Sequence, residues 1–102
     1  MNMNEIMKQA QQMQQKLSQV QNELADRTVT ASVGGGMVSV TVNGKNELLS
    51  IRIDQEVINP EDQEMLQDLI VSAVNEGLKK ARDMAQTEMR KLTGGINIPG
   101  LF

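Results

Sequence analysis

The chain has 102 residues and a formal net charge of −3, and it contains no cysteine, histidine, tryptophan or tyrosine. Its length is typical of a single domain over residues 1–102, and its 39% of hydrophobic residues is typical of a globular protein. Without cysteine the usual disulfide, thiolate and zinc chemistries are excluded, and without histidine the commonest acid–base and triad chemistries are excluded as well. We therefore expect a protein that is not an enzyme and that uses no cofactor or metal.

Membrane insertion and secretion are not expected either. The densest apolar stretch is Leu69-Ile70-Val71, which ends at Ser72, whereas a membrane-spanning helix needs about 20 such residues. The first residues lack the basic start and the apolar stretch of a signal peptide. The sequence favours a cytoplasmic protein without a membrane partner.

Residues 3–25 predict an α-helix with a narrow apolar seam. Apolar side chains recur at alternating steps of three and four, a heptad pattern that suits packing against another helix. The seam consists of Met3, Ile6, Ala10, Met13, Leu17, Val20 and Leu24. Asn2 and Glu5 form a capping-box-like start. Seven glutamines lie outside the seam, as do Lys8 and Lys16.

Residues 27–54 switch to a period of two, which predicts three β-strands. Valine and isoleucine alternate with threonine and serine, so one face suits a core and the other is polar. The strands are separated by Gly34-Gly35-Gly36 and by Asn43-Gly44, and the second is a strong hairpin signal. No Gly-Lys-Ser/Thr and no helix follow the three glycines, so we interpret them as a turn and not as a phosphate loop. The pattern predicts an antiparallel meander.

Residues 60–92 predict a long helix, which begins at Asn59-Pro60 and ends before Gly94-Gly95, leaving residues 94–102 as a Gly/Pro tail. Such a helix is about 50 Å long, whereas a compact domain of this size has a radius of gyration of about 13 Å. The helix must therefore overhang the sheet, and its outer apolar stripe suits pairing with the N-terminal helix in an arm. Small cores and open sheet faces are commonly covered by a second copy, so we expect a homodimer.

Charge is distributed unevenly along the chain. Residues 47–68 carry seven acidic side chains against Arg52 alone, and none of them has the spacing of a calcium loop. The basic cluster of residues 79–91 comprises Lys79, Lys80, Arg82, Arg90 and Lys91. Two interpretations of this cluster stay open: a face that contacts DNA phosphates, and a solvated face with pairs such as Glu76–Lys80 and Lys79–Asp83.

Four segments of the sequence resemble the YbaB/EbfC family of bacterial nucleoid-associated proteins. They are MKQAQQMQ at 7–14, GGGMVSVTVNGKNELLSIRID at 34–54, DQEMLQDLIVSAVNEGLKKA at 62–81 and GGINIPGLF at 94–102. The resemblance implies an α+β, α-β-β-β-α protomer and a tweezer-like homodimer with projecting helical arms. It also implies a protein of the cytoplasm and nucleoid that binds double-stranded DNA with little sequence specificity and alters its conformation. Gene regulation, nucleoid organisation and DNA protection are the implied roles.

Two functional hypotheses follow. In the first, the protein is a DNA-binding architectural homodimer, and a chain with a net charge of −3 must then use a local basic face. The phosphate-contacting candidates are Lys8, Lys16, Lys79, Lys80, Arg82, Arg90 and Lys91. In the alternative, the arms are an interaction module for replication, recombination or repair proteins, and DNA affinity is incidental.

Overall fold

The computed structural model describes residues 2–92. Along the chain, one long helix precedes a small sheet and a second long helix follows it. Its elements are α1 (Met3–Asp26), β1 (Thr28–Val33), β2 (Val38–Asn43), β3 (Leu48–Ile53), two short 3-10 turns (Gln55–Val57 and Pro60–Asp62) and α2 (Gln63–Leu92). The strands form one antiparallel sheet in the order β1-β2-β3. The predicted α-β-β-β-α fold and its three-stranded meander are thus confirmed, while the predicted tail at 94–102 lies outside the described residues. Neither helix of residues 2–92 is long and apolar enough to cross a membrane.

The beginning of the second helix differs from the prediction. Residues 60–62 form a 3-10 turn, and the α-helix begins only at Gln63. The Asn59 side-chain oxygen accepts a hydrogen bond from the backbone N–H of Glu61 at 3.0 Å, and the Asn59 carbonyl accepts one from Asp62 at 2.9 Å. These two short-range bonds tighten the first turn, as is frequent at helix N-termini.

The core lies between α2 and the first two strands. Its buried residues are Ala31, Val38, Val40, Val42, Ala73 and Ala81. The helix approaches the sheet most closely at Gly77, where an added β-carbon would lie 2.7 Å from Cγ2 of Val40 and 2.9 Å from Cγ2 of Val42. Glycine costs a helix interior about 1 kcal/mol relative to alanine. Gly77 therefore lowers the helix propensity of α2 but allows direct contact between the helix backbone and the two valines.

The third strand is left uncovered on the same side of the sheet. Val40 pairs with Ile51, and Val38 pairs with Ile53, so both isoleucines belong to the face on which α2 lies. Ile51 is nevertheless 42% exposed and the neighbouring Leu49 is 54% exposed. The apolar face of β3 is thus open within the described part of the chain.

The β2–β3 hairpin forms at the predicted place, but its geometry differs from a two-residue Asn-Gly turn. The residue with a left-handed backbone is Asn46, with φ of 66°. Asn43 is buried, and its side-chain oxygen accepts hydrogen bonds from the backbone N–H groups of Lys45 and Glu47, both at 3.0 Å. These bonds organise a longer turn, which begins after Asn43 itself.

This turn also holds the end of α1. Asn43 donates from Nδ2 to the carbonyl of Ala25 at 3.2 Å, and the Gly44 N–H donates to the carbonyl of Leu24 at 2.8 Å. A β-carbon on Gly44 would lie 2.7 Å from that Leu24 oxygen. Asn43 and Gly44 are therefore required by the docking of α1 on the turn.

The molecule is elongated, as the length of α2 predicts. It measures 70 × 21 × 17 Å, with a radius of gyration of 19.1 Å against about 13 Å for a compact chain of this size. Along α1, Leu17 is the first residue that is not exposed. We call residues 3–16 the free arm, and their length is about 21 Å at 1.5 Å per residue.

We expect Gly77→Ala to lower the free energy of unfolding. Crowding against two buried, β-branched valines costs up to about 3 kcal/mol, and the gain in helix propensity offsets about 1 kcal/mol of this cost. We therefore expect a net loss of up to about 2 kcal/mol in urea denaturation. Asn75→Ala, on the exposed side of the same helix, is the control and should leave stability unchanged or slightly raised. Equal stability of Gly77→Ala and the natural chain would contradict the close approach.

Candidate nucleic-acid interface

The basic cluster lies on the second half of α2, where the helix runs past its last fully buried residue, Ala81. At 100° per residue, Lys79, Arg82 and Arg90 fall on the side opposite Gly77 and Ala81. Lys80 and Lys91 fall closer to the packed side. The structure therefore divides the five predicted cations between two faces of the helix.

Lys80 contacts the protein's own sheet. Its Nζ donates a hydrogen bond to the backbone carbonyl of Thr30 in β1, at 3.2 Å. Neither of the predicted helical pairs, Glu76–Lys80 and Lys79–Asp83, forms among residues 2–92. The Lys80 ammonium thus contacts an edge strand, which sets it apart from the cations of the outer face.

Lys91 belongs to an ion-pair cluster at the end of α2. Its Nζ lies 3.3 Å from Oε1 of Glu88, and the same carboxylate oxygen is paired with the guanidinium of Arg27. The hydrogen bond from Arg27, aided by Lys91, lowers the pKa of Glu88 below its ordinary value, and partial burial opposes this shift. Because Arg27 follows α1 directly, the cluster joins the C-terminal ends of both helices.

Sequence reasoning missed the role of Arg27. The residue stands at the junction between a helix and a strand, and its partner is far away in the sequence. Local patterns identify pairs three or four residues apart on one helix. No local signal connects Arg27 with Glu88.

The outer face of α2 carries a shallow groove that Lys79 and Arg82 help to line. The other lining residues are Asp68, Val71, Ser72, Asn75 and Glu76. Two cations therefore share the groove with two carboxylates, and Arg90 lies farther along the same side of the helix. The positive charge of the outer face is concentrated toward the C-terminal end of α2.

The two predicted lysines of α1 lie on the free arm. Lys8 and Lys16 are both exposed, and at 100° per residue Lys8 falls opposite the apolar seam. Glu5 is the only acidic residue among 3–16. The polar side of α1 forms an open groove, which is lined by Gln11, Gln14, Gln15, Ser18, Gln19, Asn22, Glu23 and Asp26. The arm thus presents uncharged amides with two cations.

The candidate residues form three groups in space. Lys79, Arg82 and Arg90 share the outer face of α2. Lys80 donates to the Thr30 carbonyl of β1, and Lys91 joins the ion-pair cluster of Glu88. Lys8 and Lys16 lie on the free arm. No cluster of three or more acidic side chains that could hold a metal ion occurs in residues 2–92.

A small open sheet with two long helices, one of which projects beyond the body, defines an elongated α+β protein that presents charged helix surfaces. The profile of the YbaB/EbfC DNA-binding family matches residues 1–96. The chain belongs to this family.

Relatives of similar length carry a common name. A "Nucleoid-associated protein" of Syntrophobacter fumaroxidans is 58% identical over 95 residues, which are 93% of this chain and 86% of the relative. Another protein of that name, from Pelotomaculum thermopropionicum, is 56% identical over 99% of this chain and 96% of its own length. These names associate the family with the nucleoid.

A solved structure has the same fold. It is the crystal structure of an uncharacterized protein from Helicobacter pylori, with a TM-score of 0.82 and 31% identity. The match covers 92% of this chain and 99% of the other. The arrangement of sheet and long helices is therefore found in a second protein.

We expect Glu88→Gln to destabilise the protein at neutral pH and to have no effect in acid. The pKa of Glu88 is lowered in the folded state, so its stabilising effect is present above the unfolded-state pKa and is lost as the pH falls through the folded-state pKa. Urea midpoints of the natural chain and the variant should therefore differ at pH 7 and converge in acid.

The matched control for this measurement is Glu76→Gln, which removes an exposed carboxylate from the same helix without breaking an ion pair of the described residues. Its midpoint should follow that of the natural chain at both pH values. A midpoint difference for Glu88→Gln that persists in acid would show that the ion pairs with Arg27 and Lys91 are not its cause.

Proposed function

We propose that the protein binds duplex DNA as a homodimer, with little sequence specificity, and alters the conformation of the duplex. Its role is architectural and not catalytic, and its place of action is the nucleoid of the bacterial cytoplasm. Membership of a DNA-binding family supports the choice of ligand. The observation that carries the proposal is the row of cations on the outer face of a helix that extends along a 70 Å molecule.

The separation of charge along α2 explains how an acidic protein can bind a polyanion. Glu61, Asp62 and Glu64 lie at the N-terminal end of the helix, whereas Arg90 lies near its other end. At 1.5 Å per residue the two regions are about 40 Å apart, which is several Debye lengths at physiological ionic strength. The acidic end therefore repels DNA only weakly when the basic end is in contact with it.

The open face of β3 supports the homodimer. Leu48, Leu49 and Ile51 of this strand are large, apolar and exposed. The exposed Met37 lies at the end of the strand, where its carbonyl accepts a hydrogen bond from the Asp54 N–H. Apolar clusters of this kind on a soluble protein mark interaction surfaces, and an open edge strand readily pairs with another chain. A second copy on this surface leaves the outer face of α2 and the free arm accessible in both protomers.

Two sets of cations on one dimer can alter the shape of a duplex. Contacts with phosphates position a protein on DNA without reading its sequence. Simultaneous contacts at two separated places favour duplexes that deform to meet both, so that any preference among sequences arises from shape and deformability. Gene regulation, nucleoid organisation and DNA protection are the roles that we propose for such binding.

We expect the double variant Lys79→Gln/Arg82→Gln to weaken binding to all duplexes alike. Each phosphate contact contributes about 0.9 to the slope of log affinity against log salt. The variant removes two cations from each protomer of the homodimer, so it should lower affinity and reduce this slope by about 3.6 in fluorescence anisotropy with a 30-base-pair duplex at about 50–200 mM salt.

The control for DNA binding is Lys45→Gln/Arg52→Gln, which removes one lysine and one arginine from the turn and the polar face of the sheet. It changes the net charge by the same amount, so it separates a local contact from the overall field. Unchanged affinity and slope in Lys79→Gln/Arg82→Gln would refute the assignment to the outer face. Absence of DNA binding by the natural chain at low salt would favour the protein-interaction hypothesis.

We expect Ile51→Lys to convert the homodimer into a folded monomer. Ile51 is 42% exposed in one copy, so a lysine there should change the free energy of unfolding of the protomer little. In the homodimer, however, the lysine would place a charge in the interface. Sedimentation velocity should show half the mass, with an unchanged far-ultraviolet circular dichroism spectrum.

The matched control for the interface is Val71→Lys, because Val71 is 59% exposed on the outer face of α2. This variant should remain dimeric. A natural chain that sediments as a monomer at tens of micromolar, or a dimer that is insensitive to Ile51→Lys, would contradict the proposed interface.

A further inference from the structure

The polar side of the free arm carries a row of uncharged amide side chains. At 100° per residue, four of them fall on the side of the helix opposite the apolar seam. They are Asn4, Gln11, Gln12 and Gln15, and all four are exposed. We call these four residues the amide stripe. The free arm thus presents hydrogen-bonding groups to its surroundings along one side.

The protein itself does not use these amides. Within residues 2–92, no side-chain amide of the stripe forms a hydrogen bond with another protein group, whereas Gln19, nearer the attached end of α1, donates to the Glu23 carboxylate at 3.5 Å. Gln11 and Gln15 line the open groove of α1. Each such amide has one acceptor oxygen and two N–H donors, so both kinds of group are available to a ligand.

The arm also differs from the rest of this acidic chain in its charge. Between residues 6 and 22 the only charged side chains are Lys8 and Lys16, whereas the whole chain has a net charge of −3. At 100° per residue, Lys8 falls within the arc of the amide stripe and Lys16 falls beside it. The carboxylates of Glu23 and Asp26 follow only toward the attached end of the helix. The charge of the arm therefore complements a polyanion.

The major groove of duplex DNA fits a helix of this width and chemistry. The groove is about 12 Å wide and admits an α-helix, whereas the minor groove is only about 6 Å wide. In the major groove adenine presents the acceptor N7 beside the donor N6, and one side-chain amide of asparagine or glutamine meets both. Guanine presents two acceptors there, so an amide matches it less well. The chemistry of the amide stripe is thus suited to adenine.

We propose that the free arm lies in the major groove and that its amide stripe reads adenine through hydrogen bonds to N7 and N6. This inference rests on the proposed binding of duplex DNA and adds base contacts to it. The phosphate contacts of the outer face of α2 position the protein without reading bases. The amide stripe adds a modest preference to the dependence on shape that those contacts produce.

A modified base tests the readout while the rest of the duplex stays the same. 7-Deazaadenine has a C–H group in place of N7, so it removes the major-groove acceptor but keeps the base pair and the minor groove. In fluorescence anisotropy at about 100 mM salt, the full-length chain should bind a 30-base-pair duplex with adenine about five- to tenfold more tightly than the same duplex with 7-deazaadenine.

Gln11→Ala/Gln15→Ala should reduce this difference to about twofold or less. The variant deletes two amides of the stripe, and alanine preserves the helix. Its affinity for the adenine duplex should fall, but the slope of log affinity against log salt should stay unchanged because no charge is removed. An unchanged slope distinguishes a base contact from a phosphate contact.

The matched control is Gln9→Ala/Gln21→Ala, which removes two amides that flank the apolar seam and should keep the preference for adenine. Equal affinity of the natural chain for the two duplexes, or a difference that persists at full size in Gln11→Ala/Gln15→Ala, would overturn the inference and leave the proposed DNA binding intact. Absence of binding to both duplexes would overturn the inference together with the proposed function.

Discussion

The contact between α2 and the central strand determines the layout of the molecule. Since Gly77 has no side chain, the helix backbone rests directly on Val40 and Val42, and its position over β1 and β2 is fixed. A helix seated there cannot also cover β3, so Ile51 stays exposed although it belongs to the core-facing side. The remaining length of α2 must then extend beyond the sheet. One close approach thus accounts for both the open apolar strand and the projecting basic helix.

The first helix is held by a different kind of contact. Its C-terminal carbonyls accept hydrogen bonds from Asn43 and Gly44, and Arg27, directly after it, pairs with Glu88. These are directional contacts, and they fix the orientation of α1 at its base, while its first half is exposed within residues 2–92. The elongated shape therefore combines a firmly attached base with an exposed arm.

Local sequence patterns predicted the elements, and tertiary contacts determined the chemistry of the candidate site. The heptad of α1 and the alternation of the strands are local signals, so the order of elements and the meander were predictable. Lys80 was grouped with the outer cations because helix spacing alone does not reveal the carbonyl of Thr30 in another element. The 3-10 turn before Gln63 depends on the hydrogen bonds of Asn59, and the geometry of the β2–β3 turn depends on the docking of α1. Composition does not encode either set of contacts.

The contact from Lys80 to Thr30 also bears on how far an assembly of these sheets can grow. The described sheet has two edges, and at the β1 edge the ammonium of Lys80 from α2 donates to the carbonyl of Thr30, which disfavours pairing with a further strand. Within residues 2–92, no lysine hydrogen bond of this kind is found at the β3 edge. Two copies that join through β3 expose only lysine-bearing edges on the outside, so the association closes after one pairing. In the proposed homodimer the β3 edge is thereby occupied, so the strand that is most open to pairing does not seed a fibre.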